Sequence, residues 1–413
     1  MSVFPEKEVA LVRELAKKYK EIAFSDKQLR ANKRFFDSND LKIVRPPVLI
    51  DEIPWYQIDV DGSLTCLCEN PHTKSIEFYL RLFIFRNKYL NKVDMLIPPY
   101  FPVYLPISST GMGINFVEKE ERLTDNENRI KSHSYEDVMA DESVLLQIHD
   151  PVLTAHFDAA QANFDICKEI LGDTLDVKII KYSLFGWSPW DRLARLRGIE
   201  ACMMDMYDRP EYLHRILEKF VSAANAEIDF LEKNDLLEPV LTSLHCTPAY
   251  ISGLEDHGLK SQWIRAASQS FGIVSPEMFK EFELDYLKPI AERFAYTYYG
   301  CCEPLDNKIQ HLKSIKNLRK IGVSPWANVE VCAEQIGKDY VCARKPNPAN
   351  VAIKTEPEHI RKEIEETVKL SFKYGCPLEF VLKDISTVSH RLENLTVWAE
   401  TVSNVLDEYY DKA

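Results

Sequence analysis

Apolar residues near the N-terminus recur every third or fourth position, which is the spacing of an amphipathic helix. Two helices are predicted, from Pro5 to Lys20 and from Ser25 to Ser38, and the second begins with a Ser-x-x-Gln capping sequence. A short apolar run from Val44 to Asp51 follows, and it predicts a first buried strand. We therefore expect a helical N-terminal extension over residues 1–43 and a second unit over residues 44–413.

Strands and helices alternate through this second unit. Eight apolar runs are strand candidates, near residues 47, 95, 179, 240, 296, 319, 340 and 379, and helical patterns separate them. Such alternation is typical of an α/β fold with a parallel sheet and crossover helices. Eight units in 413 residues favour a closed (β/α)8 TIM barrel over an open doubly wound sheet. No GxGxxG or GxxxxGK[ST] sequence follows a predicted strand, so a nucleotide-binding fold has no support.

The segment from Pro98 to Asp150 interrupts the alternation after the second predicted strand. It is rich in Pro, Gly, Ser and charged residues, and it is too long for an ordinary connection. We expect a lid-like excursion whose aromatic side chains could close over an apolar ligand. A surface insertion that packs on its own side chains is an equally good interpretation.

Composition and charge narrow the class of protein. The chain is 46% hydrophobic and carries a net charge of -13, with both signs spread along it. Because it has no Lys/Arg-rich run, neither nucleic acid nor an anionic membrane is an expected partner. No apolar run approaches a membrane span, and the charged N-terminus does not have the pattern of a signal peptide. Ten cysteines are too sparse for a secreted disulfide scaffold, so we expect a cytoplasmic protein with reduced thiols.

A turn with two adjacent thiols and a carboxylate, Cys301, Cys302 and Glu303, follows the predicted strand near residue 296. In a β/α barrel this turn lies at the end that carries active sites. His245 ends the preceding predicted strand, and Cys342 lies on the strand two units later. Since zinc is bound by thiolate, imidazole and carboxylate groups, the candidate metal ligands are Cys302, Cys301, Cys342 and His245. Neighbouring side chains point apart, so we expect at most one of the adjacent thiols to bind, with a slight preference for Cys302.

Residues at the other predicted strand ends are candidates for catalysis because of their position alone. The catalytic candidates are Asp51, Glu303 and Lys345, and Glu52, Lys383 and Asp384 occupy similar positions. A substrate pocket is expected from the aromatic residues Trp55, Trp187, Trp190 and Tyr299. The competing interpretations are helix capping for Glu303, buried packing for Cys342 and a structural role for the tryptophans.

Three stretches of the sequence resemble one enzyme family. The run YGCCEPLD around Cys301, SPWANVE at residues 324–330 and RKPNP at residues 344–348 resemble the uroporphyrinogen decarboxylase superfamily. Within it, the resemblance is to the branch of corrinoid-dependent methyltransferases and their relatives. It covers most of the chain from Val44 onward and implies the same (β/α)8 barrel.

Two departures from the family pattern bear on activity. Uroporphyrinogen decarboxylases carry an Arg-rich RQAGRYLPEY segment, whereas the matching region from Val44 to Trp55 has one Arg and two acids. Thiol-methylating members hold zinc through His-x-Cys on the thiol turn and a later Cys. Here the His position is Tyr299, and the later position falls within Leu382 to Ser386, which has no Cys. A zinc site would therefore be built from other residues.

The resemblance implies a methyltransferase that takes a methyl group from a small donor, with an aryl methyl ether as the candidate, and passes it to a corrinoid. Because the chain has no cobalamin-binding Asp-x-His-x-x-Gly sequence, the corrinoid is expected on a partner protein, alongside Zn²⁺ in this chain. A homodimer is the candidate assembly. The alternatives are a decarboxylase of a small non-porphyrin acid that uses Asp51 or Lys345, and a corrinoid- or tetrapyrrole-binding protein without turnover.

Overall fold

The computed structural model describes residues 4–121, 132–182, 184–239 and 241–410. Its helices are α1 (Glu6–Ala23), α2 (Asp26–Asn39), α3 (Pro71–Tyr89), α4 (Phe157–Leu171), α5 (Pro189–Arg197), α6 (Ile199–Asp208), α7 (Pro210–Lys233), α8 (Pro276–Phe279), α9 (Asp285–Ala291), α10 (Ile309–Leu312), α11 (Val329–Ile336), α12 (Pro357–Tyr374) and α13 (Leu392–Tyr410). A π-helical turn, Lys280–Leu284, joins α8 to α9. No helix in these ranges is both long enough and apolar enough to cross a bilayer.

The strands are β1 (Val48–Ile50), β2 (Phe101–Tyr104), β3 (Ile107–Ser109), β4 (Glu118–Glu121), β5 (Ser132–Tyr135), β6 (Leu153–Ala155), β7 (Val177–Ile180), β8 (Phe185–Trp187), β9 (Ser243–Leu244), β10 (Thr247–Pro248), β11 (Trp263–Ala266), β12 (Tyr296–Tyr299), β13 (Leu318–Val323), β14 (Val341–Arg344) and β15 (Leu378–Leu382).

Seven of these strands form one parallel sheet in the order β1-β15-β14-β13-β12-β11-β8. Helices connect and cover them, so the expected α/β architecture with a parallel central sheet is confirmed. In the described ranges β1 and β8 are the two edges of the sheet, and strand pairing does not close it into a ring.

Three predicted strands differ from the structure. The run near residue 95 forms no strand, although the Asp94 amide donates to the Val48 carbonyl oxygen at 2.7 Å. The run near residue 179 is β7, which pairs with β2 outside the central sheet. The run near residue 240 includes Val240, which is outside the described residues, and its end forms β9, paired antiparallel with β10.

The runs near residues 179 and 240 were expected to form strands of the central sheet. In the structure, β8 and β11 occupy those places in the sheet. Both strands are short, and their sequences, FGW and WIRA, contain a glycine and an arginine that break the apolar run. A hydrophobicity pattern gives little signal for strands of this kind, which explains why they were not predicted.

The predicted N-terminal helices are confirmed as α1 and α2. Ser25 caps α2 by accepting a hydrogen bond from the Gln28 amide at 3.2 Å. Helix α1 packs on α3 and α4 around a second apolar core that includes Val12 and Leu80. Asn39, at the end of α2, donates from Nδ2 to the carbonyl oxygens of Pro248 and Tyr250 at 2.9 and 2.7 Å. The N-terminal helices are therefore packed on the rest of the chain.

Residues 98–150, where a lid-like excursion is expected, contain regular structure in their described part. Strand β2 pairs parallel with β7, β3 pairs antiparallel with β6, and β4 and β5 form a hairpin. The excursion is thus a set of short paired strands and is not a single long loop.

Alternation along the strands gives the central sheet two different faces. Trp263, Tyr298 and Ala343 share one apolar cluster with Leu244 of the β9–β10 hairpin, on what we call the inner face. Tyr299 and Cys342 belong to the larger cluster formed with the surrounding helices, on the outer face. The side chains that follow the strands at their carboxyl ends, above the inner face, form the candidate site.

Candidate functional site

The turn after β12 is held in place by its own backbone geometry and by a buried carboxylate. Gly300 has a φ of 122°, and a Cβ there would lie 3.1 Å from both Cα and N of Gly322. Glu303 is 3% exposed. It accepts hydrogen bonds from the Cys301 amide at 2.9 Å and from the Ser268 amide at 3.2 Å. Glu303 therefore lies beneath the turn and fixes the position of the thiols.

The two adjacent thiols have different neighbours. The Sγ of Cys301 is 3.2 Å from Nε2 of His245 and 3.4 Å from the Sγ of Cys302. The Cys302 thiol donates to Oδ2 of Asp384 at 3.0 Å. The structure thus brings His245, Cys301 and Cys302 together as expected, but it is Cys301 that contacts the imidazole.

Two buried lysines surround the thiols with positive charge. Nζ of Lys383 is 3.6 Å from each sulfur and 2.8 Å from Oδ1 of Asp384. Nζ of Lys345 donates to the carbonyl oxygen of Cys301 and to the hydroxyl of Tyr298, both at 2.7 Å. The Lys345 ammonium is therefore hydrogen-bonded to the backbone of the turn, whereas the Lys383 ammonium faces the sulfur atoms.

These contacts separate the acidities of the two thiols. The contact with the Cys302 sulfur is the largest cause that lowers the pKa of Cys301, and His245 and the two lysines act in the same direction against burial. The neighbouring Cys301 thiolate and burial raise the pKa of Cys302. The pair therefore holds one negative charge, which lies on Cys301.

A group of potential metal ligands lies beside this pair. Ligand atoms of Glu52, His245 and Cys246 are all within 4.8 Å of one another. Glu52 also accepts a hydrogen bond from the Asp384 amide at 2.8 Å, which connects it to the thiol turn. Carboxylate, imidazole and thiol are the donor types that bind Zn²⁺. Sequence reasoning noted the strand-end positions of Glu52 and Asp384, but it did not select Cys246 as a ligand.

The backbone of this group is strained. Glu52, His245, Cys246 and Asp384 have φ values of 51°, 50°, 74° and 59°, in the left-handed region that residues other than glycine rarely adopt. Such conformations cost about 1–3 kcal/mol each and persist where the surrounding structure holds them. Four of them in contacting loops show that the fold holds these side chains together at a cost in stability.

Cys342 does not reach this group. It lies on the outer face of β14, 2% exposed, near Cys332 and Cys376. Burial raises its pKa well above the usual value for a thiol. Alternation along the strand accounts for the difference, because the adjacent Ala343 is the residue that faces inward.

Three of the four aromatic candidates also lie on the outer face. Trp187, Trp190 and Tyr299 are buried in the core shared with the helices. The Trp190 indole donates to the Phe282 carbonyl oxygen at 3.0 Å, and the Tyr299 hydroxyl is 2.9 Å from Oγ of Ser268. The structure does not bring these three residues to the thiols.

The remaining two candidates follow β1. Trp55 is half-buried and packs edge-on against Phe85, with ring centroids 6.3 Å apart. The Asp51 amide donates to the Leu382 carbonyl oxygen at 2.9 Å, which places this residue at the carboxyl end of the sheet. Burial raises the pKa of the Cys246 thiol, and the nearby carboxylates of Asp51 and Glu52 add to this effect. Asp51 is therefore close to the group of potential ligands.

Comparison with known proteins gives a likeness in fold. No protein-family model matches the sequence, and no curated protein matches it. A methyltransferase from Methanosarcina mazei is similar in structure, with a TM-score of 0.50 and 15% sequence identity, over 92% of this chain and 99% of that chain. A B12-independent methionine synthase from Shewanella sp. W3-18-1, in complex with selenomethionine, gives a TM-score of 0.37 and 11% identity, over 71% of this chain and 76% of that chain. The resemblance drawn from the thiol turn is thus matched, with the Methanosarcina protein, by a shared fold over nearly the whole chain.

Proposed function

We propose that this protein is a methyltransferase that moves a methyl group from a small donor, such as an aryl methyl ether, to the corrinoid of a partner protein. The observation that carries the proposal is the group of imidazole, thiol and carboxylate side chains where the tip of the β9–β10 hairpin meets the carboxyl ends of the parallel strands. Active sites of β/α barrels lie at this end. The likeness in fold to the Methanosarcina methyltransferase supports the same reaction class. The proposal includes a barrel of eight strands, with the segment at Asp94 beside β1 in the position of the strand that closes it.

The residues at the site fit a zinc ion. His245, Cys246 and Glu52 would hold it, and Cys301 is a further thiolate beside His245. Burial and the nearby carboxylates raise the pKa of Cys246 when no cation is bound, but a divalent cation reverses this effect because it stabilises the thiolate. When bound, the ion would supply a Lewis acid that makes the heteroatom of the methyl donor a better leaving group.

The chain's own residues would hold charge and protons around the donor. Lys383 is 2% exposed, and burial alone would lower its pKa, but the Cys301 thiolate and Asp384 outweigh burial and raise it. Lys383 therefore keeps its proton and balances the negative charge of the site. Decarboxylation through Lys345 has less support, because the Lys345 ammonium is already bonded to the Cys301 carbonyl oxygen and to Tyr298.

A direct assay tests the proposed reaction. The protein would be mixed with candidate methyl donors and a Co(I) corrinoid protein, and methylation would be followed by the corrinoid's absorbance. Protein purified without chelator is expected to contain about one zinc per chain by elemental analysis. Full activity in a metal-free protein would contradict the Lewis-acid role, and no methylation with any donor class would contradict the reaction.

Serine variants of the two adjacent thiols test which one is the ligand. We expect Cys301→Ser to lose more metal and turnover than Cys302→Ser, because Cys301 is the thiol that contacts His245. A serine hydroxyl stays protonated near neutral pH and is a poor zinc ligand, although it is similar in size to a thiol. Cys66→Ser, at a half-buried thiol outside the site, serves as the control. Equal metal content in the Cys301 and Cys66 variants would remove the thiol turn from the metal site.

A further inference from the structure

A cavity with aromatic walls lies between helix α3 and strand β2. Tyr79 and Phe83 of α3 line it, together with Tyr100 and Tyr104 from the segment that contains β2. Its volume is about 170 Å³, and a cavity of about 150 Å³ in a protein core is large enough to hold benzene. The cavity therefore has room for one benzene ring.

Strand β2 divides its side chains between this cavity and a packed core. Phe101 and Val103 belong to the apolar core that α1 and α3 share, whereas Pro102 and Tyr104 line the cavity. Successive side chains of a strand point to opposite faces in this way. Tyr104 is 59% exposed, so its ring forms the rim of the cavity and is not needed to fill a core.

One hydroxyl group at the cavity is left without a partner. Tyr100 is half-buried, and within the described part of the chain its hydroxyl forms no hydrogen bond. The Tyr79 hydroxyl, in contrast, lies 3.4 Å from that of Tyr19. Buried tyrosine hydroxyls usually find a hydrogen-bond partner. Because burial raises the pKa of Tyr100, this hydroxyl keeps its proton and can donate it to an oxygen atom of a ligand.

The cavity lies next to the group of potential metal ligands. Leu96 lines the cavity and also packs on the apolar cluster that contains Cys246. Ser243 lines the cavity too, two residues before His245, and two residues of chain span at most about 7 Å. One side chain and a short piece of backbone therefore separate the cavity from the proposed metal site.

Charge decides what kind of ligand suits these aromatic walls. Aromatic rings attract cations to their faces, but Nζ of Lys178 already lies 5.7 Å from the ring centroid of Tyr100 and would repel a second cation. Among the described residues, no charged side chain lines the cavity. A neutral aromatic ring suits such walls, because aromatic pairs gain from edge and offset contacts beyond their burial.

We propose that the cavity between α3 and β2 binds a neutral molecule with a single benzene ring and an oxygen substituent that accepts a hydrogen bond from Tyr100. Small-molecule sites generally combine apolar walls with a few polar groups that fix orientation. In a second step, which rests on the proposed function, the bound ring is the aryl group of the methyl donor. The donor class is then narrowed to methyl ethers of a single benzene ring.

Three probes of similar size test the binding step by ligand-observed NMR titration of the full-length protein. They are phenol, cyclohexanol and tetramethylammonium. We expect phenol to bind about fivefold more tightly than cyclohexanol, because only the flat ring gains the aromatic contacts, and we expect no binding of tetramethylammonium. Absence of phenol binding, equal binding of cyclohexanol, or tighter binding of tetramethylammonium would each overturn the proposal.

Substitutions at the rim and at the free hydroxyl assign the site. Tyr104→Ala should weaken phenol about fivefold. Tyr100→Phe should weaken phenol about threefold and leave toluene unchanged, because toluene accepts no hydrogen bond. Tyr207→Ala, at a tyrosine of α6 that is 75% exposed, is the matched control. Melting temperatures verify folding, and equal phenol binding by the Tyr104 and Tyr207 variants would show that the site is wrong.

Methyl transfer from anisole, followed by corrinoid absorbance, tests the second step. Tyr104→Ala should raise the KM for anisole by about the factor by which it weakens phenol and leave kcat unchanged, since the ring contact is the same before and during the reaction. An unchanged KM would separate the cavity from the donor site. Phenol binding without methyl transfer from any donor would contradict only the proposed function, whereas transfer without phenol binding would contradict only the cavity.

Discussion

Two adjacent cysteines at the proposed active site show how strongly surroundings decide the chemistry of a residue. Cys301 is 3% exposed and contacts an imidazole, while Cys302 is half-buried and donates to a carboxylate. The sequence identified the pair but favoured Cys302. The direction of each side chain depends on Gly300 and Glu303 in the turn, and no local pattern in the sequence records that direction.

Glu283 is a buried carboxyl group in the outer-face core. It is 1% exposed, on the π-helical turn, and neither of its oxygens has a hydrogen-bond partner in the described part of the chain. Burial raises its pKa well above the usual value, and the negative charges of Asp191 and Glu303 add to this. The nearby Trp187 indole and Tyr299 hydroxyl act in the opposite direction but do not outweigh burial. The folded protein therefore holds Glu283 as a neutral acid over a wide pH range.

The substitution Glu283→Gln should stabilise the protein at neutral pH. Above a pH of about 4.5 the unfolded chain releases the Glu283 proton and the folded protein keeps it, so wild-type stability falls as pH rises towards the folded pKa. Glutamine has no proton to release in this pH range, so the stability of the variant does not fall in this way. We expect its melting temperature to exceed that of wild type by roughly 2–4 °C at pH 7.5, and the difference should shrink as the pH is lowered towards 4.5.

The neighbouring Glu281 provides the control for this measurement. It lies on the same turn, but its side chain is 56% exposed, and its contact with Nε2 of His214 at 3.2 Å is a surface pair of the kind that contributes little to stability. Glu281→Gln should leave the melting temperature within about 1 °C of wild type at every pH. A destabilised Glu283→Gln variant at pH 7.5 would mean that the carboxyl group is charged and bonded to a partner in the folded protein.

At the scale of elements, the existence of a strand was easier to predict than its partners or its faces. The strands at β12 to β15 were located from their apolar runs, because each is buried on both sides. For the same reason their inner and outer residues have similar hydrophobicity. Cys342 and Tyr299 were therefore expected at the site, although both face the helices.

The structure brings together several of the residues that were expected to follow strands. His245, Cys301, Asp51 and Lys345 all lie around the site, and so do Glu52 and Asp384. The carboxyl ends of parallel strands point to one end of the sheet whatever the strand order. His245 was selected and Cys246 was not. Both were expected to follow a strand of the central sheet, whereas they lie between β9 and β10 in a hairpin that packs on the inner face.

The approach of β12 to β13 depends on two glycines. Gly300 has a left-handed φ, and its Cα lies close to the backbone of Gly322. Gly300→Ala should destabilise the protein by about 1–3 kcal/mol, and it should also reduce methyl transfer, because the thiol turn would shift. Thermal denaturation and the corrinoid assay would measure the two effects.

Gly186→Ala is the matched control for the Gly300 substitution. Gly186 also lies in the central sheet, has no positive φ, and a Cβ there would meet nothing within 4 Å. The melting temperature of Gly186→Ala should remain within about 1 °C of wild type. If the two alanine variants were equally stable, the close contact between Gly300 and Gly322 would not be a requirement of the fold.

At the scale of the whole molecule, buried polar contacts connect parts of the chain that are distant in sequence. Lys320 and Glu379 form a fully buried ion pair at 2.9 Å on the inner face, and Lys320 also donates to Thr247 and to the Pro248 carbonyl oxygen. The same carbonyl oxygen accepts from Asn39 at the end of α2. The β9–β10 hairpin thus links the N-terminal helices to the central sheet and carries His245 and Cys246 at its tip.

Under the proposed function, we expect the excursion at residues 98–150 to contact the corrinoid protein. The cobalt atom must reach the donor at the carboxyl end of the sheet, and charges around an interface control how fast partners associate. Reversing two exposed charges there, Glu136→Lys with Asp150→Lys, should slow methyl transfer to the corrinoid protein several-fold at low salt, and the effect should diminish as salt is raised. The rate would be followed by corrinoid absorbance below saturation.

Two controls separate docking from damage to the active site. With free cob(I)alamin in place of the corrinoid protein there is no protein surface to dock, so the double variant should transfer methyl groups at the wild-type rate. Glu334→Lys, an exposed charge reversal on α11, should not affect either acceptor. Slower transfer to both acceptors in the double variant would indicate a disturbed site. The double variant replaces two negative charges with two positive ones, and such a change at an interface alters the association rate. An unchanged rate with the corrinoid protein would therefore show that the excursion does not take part in docking.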